Sequence, residues 1–435
     1  MTRNPFFMAH LFRDRSSASR IAPTGRSVKD ATRVLGCRTM ADTADVVVVG
    51  GGVIGTSIAF ALASAGVARV TLLEKGALAS GASGRSSALI RMHYVNEEDA
   101  RLAWASFPVF RDWCERMGGP PVFTPTGFVA VVGPADAAAL RANVEMLRKI
   151  GVDTTAMSPA ELKTLQPHVN VDDVGAAAYE PASGYASPAE VVEGFRRQAQ
   201  ARGARILPWT PATRIVRRDS AVVGVETAAG RIDCGAVVVA AGAWAPRLCR
   251  ELGIELAARP KALDTMLVTR PPELARPHMV VIDHVLGTYF RPEGEAQTIV
   301  GVPCQVWDID PDTMPTGLPP TAPVEGAQLL THRMPVMERA ALARGYRAFD
   351  CYSADRHAIL GAVRGVDGLY LATAFSGSGF KIAPAVGACL AELITEGRAR
   401  TVDISAFRPE RFAEGRRIAG RHPYAPRRDH QEPTR

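Results

Sequence analysis

The sequence is short of lysine, of paired cysteines and of long apolar runs, and each shortage excludes something. The seven cysteines, Cys37, Cys114, Cys234, Cys249, Cys304, Cys351 and Cys389, are odd in number, widely spaced and never arranged as CxxC. That pattern argues against a disulfide framework and against a zinc site, so no metal ligand set is expected and a reducing compartment suits the chain. The stretch 46–66, "VVVVGGGVIGTSIAFALASAG", is apolar enough to suggest a membrane span. Glycines 50, 51, 52 and 55 would weaken such a helix at its middle, and Asp42 and Asp45 occupy the flank where basic residues belong. No transmembrane segment is therefore expected.

The formal net charge of +7 hints at a polyanionic partner, but its distribution does not. Residues 1–39 hold eight Arg and Lys against two Asp, and residues 408–435 hold eight Arg against four acids. The body between them is slightly acidic, so the basic ends read as tails and no nucleic-acid partner is expected. The first 39 residues are rich in Arg and Ser and lack the apolar core of a secretory signal. Two readings of residues 1–42 stay open: a mitochondrial-type leader, or a non-native or disordered extension with translation beginning at Met40 and a cytoplasmic product. Six lysines against 45 arginines fit a GC-rich bacterial genome.

The apolar stretch has a second parse. "DVVVVG" is a short β-branched strand, Gly50-x-Gly52-x-x-Gly55 is the turn into a helix over about 54–65, and Gly66 ends that helix. Gly50 makes the tight turn, Gly52 lets backbone approach a pyrophosphate, and Gly55 lets helix pack on strand. Val53 and Ile54 open the helix, whose N–H groups and dipole favour phosphate. A second buried strand, "ARVTLLEKG", ends in Glu74 and Lys75, with Glu74 placed 22 positions after Gly52, where a carboxylate accepts from ribose hydroxyls. This is a dinucleotide site, and the acid at the end of the second strand disfavours NADP. The loop 76–94, "GALASGASGRSSALIRMHY", is suited to run along a bound cofactor with Gly84, Arg85, Ser86 and Ser87 against its phosphates.

Three further segments carry a family resemblance: "ATRIVRRDSAVVGVETAAGRIDCGAVVVAAGAW" (212–244), "GYRAFDCYSADRHAILG" (345–361) and "LYLATAFSGSGFKIAPAVGACLAELI" (369–394). With the glycine motif they resemble, in order over 43–405, the FAD-dependent D-amino-acid oxidase/glycine oxidase superfamily, in particular its sarcosine oxidase-like and sarcosine dehydrogenase-like branch. The resemblance implies an α/β (α+β) fold: a discontinuous, Rossmann-like FAD-binding domain over 43–120, 187–258 and 345–405. It also implies a substrate domain on a mostly antiparallel sheet over 121–186 and 259–344, followed by a basic tail over 406–435, of which 422–435 is expected to be disordered. Further cofactor contacts are expected at Ala212, Ala241, Gly242 and Trp244, and at Gly377, Ser378, Gly379, Phe380 and Lys381. Strand candidates in the substrate domain lie at 127–132, 264–269, 279–283, 287–293 and 297–302, with helices at 135–150, 159–165 and 327–337 and a Pro-rich loop at 309–326.

By resemblance, Arg91 and Lys381 grip a substrate carboxylate, which suits an amino acid or N-alkyl amino acid. The implied reaction is hydride transfer to flavin N5 with hydrolysis of the resulting imine. His93 and Tyr94 follow Arg91 and are candidates to line the same cavity, Tyr289 is a candidate wall, and His357 reads as structural. Departures from the branch shape the expectation. Ile299 stands where the branch has a lysine that assists reaction with oxygen, so a dehydrogenase is favoured over an oxidase. Ala348 stands where the flavin-linking cysteine is expected, which implies non-covalent FAD, with Cys351 as the alternative link. Gly84 and Ala88 replace an active-site His and Arg, which argues against sarcosine itself. A 2-hydroxy acid dehydrogenase, and a flavin-binding assembly factor or subunit of a heteromeric dehydrogenase, remain as other readings. The electron acceptor, partner subunit and oligomeric state are not indicated.

Overall fold

A computed structural model describes residues 42–274 and 277–425. The expectations for the N-terminal extension, the Met40 start and the last ten residues fall outside that range.

The run of β-branched residues after Asp42 forms the strand Asp42–Val49, whose Val47 and Val48 are wholly buried. A strand apolar on both faces belongs inside a parallel sheet. It pairs in parallel with Val70–Leu73 on one side and Gly230–Val239 on the other. Arg205–Leu207 extends the sheet beyond Val70–Leu73, and Leu369–Thr373 pairs in parallel with the end of Gly230–Val239. The expected meander is present as Ala212–Arg218, Ala221–Thr227 and Gly230–Val239, joined antiparallel. Ile359–Ala362 completes an eight-stranded sheet.

The glycine turn leads into the helix Val53–Ser64, nearly all of whose first turns are buried. It lies against the helix Gly379–Glu396, where Ser57 Oγ donates to the Ala383 carbonyl at 2.8 Å, and against Pro188–Ala201, where Phe60 and Phe195 have ring centroids 5.8 Å apart.

A second eight-stranded sheet runs Ala341–Ser353, Ala258–Thr269, Gln297–Val302, Thr288–Glu293, Val280–Asp283, Phe128–Val132, Ala176–Glu180 and Thr155–Met157. All neighbours pair antiparallel except Val280–Asp283 with Phe128–Val132. The helices Ala137–Ile150 and Pro159–Leu165 occupy the expected places, the latter opened by a Ser158/Glu161 capping box.

Three expectations need correction. The boundary at 345 falls inside one continuous strand, Ala341–Ser353, which is paired along its length with Ala258–Thr269 in the second sheet. The helix placed at 327–337 starts earlier, as Thr321–Arg333, because Pro323 sits in the first turn, where its missing N–H costs nothing. Residues 406–425 are not a loose tail. Arg411 is fully buried with a two-pronged ion pair to Asp355, and Tyr424 is hydrogen-bonded into the body.

Candidate active site

The carboxyl ends of the parallel strands open onto a cavity of about 520 Å³ whose far wall is the second sheet. Val49, Leu73, Ala240 and Ala372 contribute strand ends, and Leu263, Thr265, Tyr289 and Asp350 come from the opposite sheet. This is where an open α/β sheet binds ligands, because the turns that follow the strands point their N–H groups there.

The dinucleotide end is built from the glycine turn. Gly50 has φ +119°, and a Cβ on it would lie 2.3 Å from the Ala240 carbonyl oxygen. Gly52, Val53 and Ile54 line the cavity. Glu74 accepts from Gly51 N at 2.7 Å and Gly76 N at 2.8 Å. Each carboxylate oxygen keeps a second lone pair for ribose hydroxyls. Lys75 forms an ion pair with Asp312 and lies 3.9 Å from the centroid of the Trp244 indole, whose Nε1 also donates to Asp312 at 3.0 Å. Ala212, Ala241 and Gly242 line the wall beside them.

In the Gly/Ser loop, Arg85 turns to the Ser80 and Gly81 carbonyls and over the Phe349 ring, Ser86 accepts from Ala88 N, and Ser87 donates to Tyr289. Two of the expected contacts are not on the cavity wall. A Cβ on Gly55 would meet Gly50 O at 1.9 Å, in keeping with the packing role the motif implies, and one on Gly84 would meet Ala79 O at 2.4 Å, so Gly84 too is required by backbone packing. Phe380 borders the cavity, but its ring stacks on Phe110 in the core. Gly377, Ser378 and Gly379 line the cavity at the start of the final long helix.

The other end of the cavity is cationic. Arg91 and Lys381 both reach the Tyr94 ring, the guanidinium carbon at 4.5 Å and the ammonium nitrogen at 5.9 Å from its centroid. Arg91 donates to the His93 carbonyl and Lys381 to the Ser378 carbonyl at 3.5 Å; among the described residues neither has an ion-pair partner. Burial, and then the neighbouring Arg91 charge, hold the Lys381 amine well below its ordinary pKa. The same causes push His93 down to about 3, so its imidazole is neutral. Burial raises Tyr94 to about 12. A half-buried guanidinium beside a buried amine, with no ion pair to either among the described residues, favours the arrival of an anion.

Several lining residues carry no signal in the sequence read alone. Asp350 is pushed up to about 6 by burial, although it accepts from Cys351 N at 2.8 Å and Gly377 N at 2.7 Å and faces the Lys381 charge. Asp99 meets His357 Nδ1 at 2.5 Å; burial lowers the imidazole pKa, but Asp99's hydrogen bond and charge outweigh it and the net shift is upward. Both Asp99 and His357 line the cavity, so His357 is placed at the site as well as in the turn. Ser83 caps the helix start by accepting from Val53 N at 3.0 Å. Three non-glycine residues on the wall, Ala88, Arg356 and Ser376, hold positive φ, the local strain that tends to collect at functional sites. Ala348 is on the wall, whereas Cys351 is fully buried in the core and not among the lining residues. The geometry fits an extended dinucleotide, with glycine backbone for a pyrophosphate, a carboxylate for a ribose and, among the described residues, no cysteine on the wall.

Comparison with known proteins agrees. The chain is 30% identical over 407 residues to human mitochondrial sarcosine dehydrogenase, covering 88% of this chain but 43% of that protein. It is 28% identical to mouse FAD-dependent oxidoreductase domain-containing protein 1, over 87% of this chain and 86% of that one. Among solved structures, L-proline dehydrogenase from P. horikoshii superposes with a TM-score of 0.79 at 27% identity, covering 86% of this chain and 99% of that one. Residues 45–393 match the model of the DAO family, described as FAD dependent oxidoreductase, and the chain belongs to that family.

Proposed function

We propose that the protein oxidises an amine bearing a carboxylate, an amino acid or N-alkyl amino acid, with FAD held non-covalently. FAD supplies the hydride acceptor. The carrying observation is the half-buried Arg91 guanidinium beside the buried Lys381 amine, neither ion-paired among the described residues, in the same cavity as the glycine turn.

Arg91 presents a planar fork to a carboxylate and Lys381 a compact charge beside it. An arriving carboxylate would favour the charged form of Lys381 and so draw a proton to its amine. Phe128, Ile282 and Tyr94 exclude water around the group so held. Sarcosine and L-proline, named by two of the similar proteins, are both carboxylate-bearing secondary amines, which supports the same class here. Ile299 is buried in Gln297–Val302, between strand partners Leu267 and Arg291, and brings no amine to that strand. This favours an acceptor other than oxygen.

The test is an anaerobic titration of the holoenzyme with sarcosine, dimethylglycine, proline and D- and L-amino acids, following the oxidised flavin band. Bleaching by one of them supports the reading, and slow recovery in air supports a dehydrogenase. Bleaching by a 2-hydroxy acid alone would replace the amine with an alcohol. A flavin that no carboxylate perturbs or bleaches would overturn the reading.

A further inference from the structure

The C-terminal segment makes an unexpected return to the cationic end of the cavity. After the buried Arg411–Asp355 pair, Ile418 N donates to Asp355 at 3.1 Å and Gly420 packs against Val95, where a Cβ would lie 2.5 Å from the carbonyl oxygen. The chain then crosses the Ala137–Ile150 helix, with Asn143 Nδ2 donating to the His422 carbonyl at 2.8 Å and Ala425 N donating to Asp136. Residues 421, 422, 423 and 425 are exposed, but Tyr424 between them is turned inward and lines the cavity.

Its hydroxyl is 2.7 Å from His93 Nε2, and its ring stacks on His93 at 6.0 Å and meets His284 edge-on at 4.7 Å. His93 is neutral, and its own carbonyl accepts from Arg91. A continuous chain of contacts therefore runs from Tyr424 through His93 to the guanidinium that faces the substrate carboxylate.

We propose that Tyr424 is a positioning and specificity-determining residue of the substrate site. Through its hydroxyl it holds His93, and with it Arg91, in place; its ring closes the wall against which the substrate's side chain rests. The proposal rests on the carboxylate reading above. Two separable roles follow, because the hydroxyl and the ring can be removed one at a time.

The experiment uses the FAD-loaded full chain, Tyr424→Phe and Tyr424→Ala, with acetate and benzoate as probes and dissociation constants read from the oxidised flavin spectrum. Tyr424→Phe keeps the ring and loses the hydrogen bond, so both probes should bind about fivefold more weakly with their ratio unchanged. Tyr424→Ala also removes the wall, so benzoate should gain about tenfold relative to acetate. Unchanged constants and ratio in both variants, with normal flavin content, overturn the proposal. So does a fall in melting temperature without a change in either constant, since that is what a purely structural anchor predicts. If Tyr424→Ala loses its flavin, the Tyr424→Phe constants decide alone. If the wild type binds neither probe, the carboxylate reading itself has failed and this proposal falls with it.

Discussion

A methyl group on Gly55 would lie 1.9 Å from the carbonyl oxygen of Gly50, so the helix Val53–Ser64 can start where it does only because residue 55 has no side chain. The contact is with backbone, which no rotamer change relieves. Gly55→Ala must push the helix away from the turn that faces the cofactor. We expect a destabilisation of about 1–3 kcal/mol or more, as for overpacked cores, together with loss of FAD. The ratio of flavin to protein absorbance after purification checks this, and a fully loaded Gly55→Ala protein would show that the turn tolerates the displacement.

Glu180 is wholly buried behind Arg91 and accepts from Ser183 Oγ at 2.6 Å and Met92 N at 2.9 Å. Burial raises its pKa to about 6, against those hydrogen bonds and the Arg91 charge. A carboxyl that holds its proton more tightly when folded favours the native state most at low pH, and that advantage declines as pH rises through the unfolded value toward 6. Glu180→Gln stays neutral and keeps an acceptor for both donors. Relative to wild type its stability should therefore rise between about pH 4.5 and 6 and then level off, at about 2 kcal/mol above pH 7. Denaturant unfolding at pH 5 and pH 8 tests this; a difference that does not grow with pH refutes it.

The glycine turn and the acid after the second strand were legible because they are local: the physics that requires them acts over a few consecutive residues. Arg91 and Lys381 are named by the family resemblance rather than by local physics, and the structure places both on the wall of one cavity. Gly55 has the packing role that its place in the motif implies, whereas Gly84 reads as a cofactor contact although it serves backbone packing, since a sequence does not distinguish a glycine that admits a ligand from one that admits its own chain. Asp350 faces the cavity from the edge strand Ala341–Ser353 and Thr265 from its neighbour Ala258–Thr269, and the pattern of either strand would read the same if they faced elsewhere. Tyr424 lay in a polar, Arg-rich stretch without periodicity, and only long-range contacts bring it inward.

Asp312 draws together Lys75, Trp244 and Arg247 from a loop that connects Gln297–Val302 to Thr321–Arg333. All three partners line the dinucleotide end of the cavity. Asp312 is partly exposed, so the clasp is screened and each pair contributes at most about 1 kcal/mol. Asp312→Ala should release FAD several-fold faster on dilution, read from the rise in flavin fluorescence, while acetate binding at the other end is unaffected. An unchanged release rate would show that the loop does not retain the cofactor.

Arg91 and Lys381 should differ in how they fail. Replacing Arg91 with lysine preserves charge but loses the planar fork, so carboxylate binding should weaken by about 10–100-fold. Lys381→Met removes a charge that burial and Arg91 already disfavour. Its effect should be smaller at high pH, where the wild-type amine has itself lost its proton. Binding constants measured from pH 6 to pH 9 separate the two, and parallel pH profiles for wild type and Lys381→Met would show that Lys381 does not titrate in that range.

The order of strands in the first sheet has a consequence for how the chain matures. Asp42–Val49 gains its neighbour Gly230–Val239 only after some two hundred residues have followed it, and Leu369–Thr373 closes that edge later still. The glycine turn, written near the start, has no backbone to brace Gly50 against until Ala240 exists, and no Ser378–Lys381 helix start on the same cavity until the final long helix is made. Such distant pairings make folding slow and leave early chains with unpaired strand edges. An N-terminal fragment carrying the complete nucleotide motif should therefore be a sticky, flavin-free polypeptide, and cofactor capture a late event that marks the end of folding.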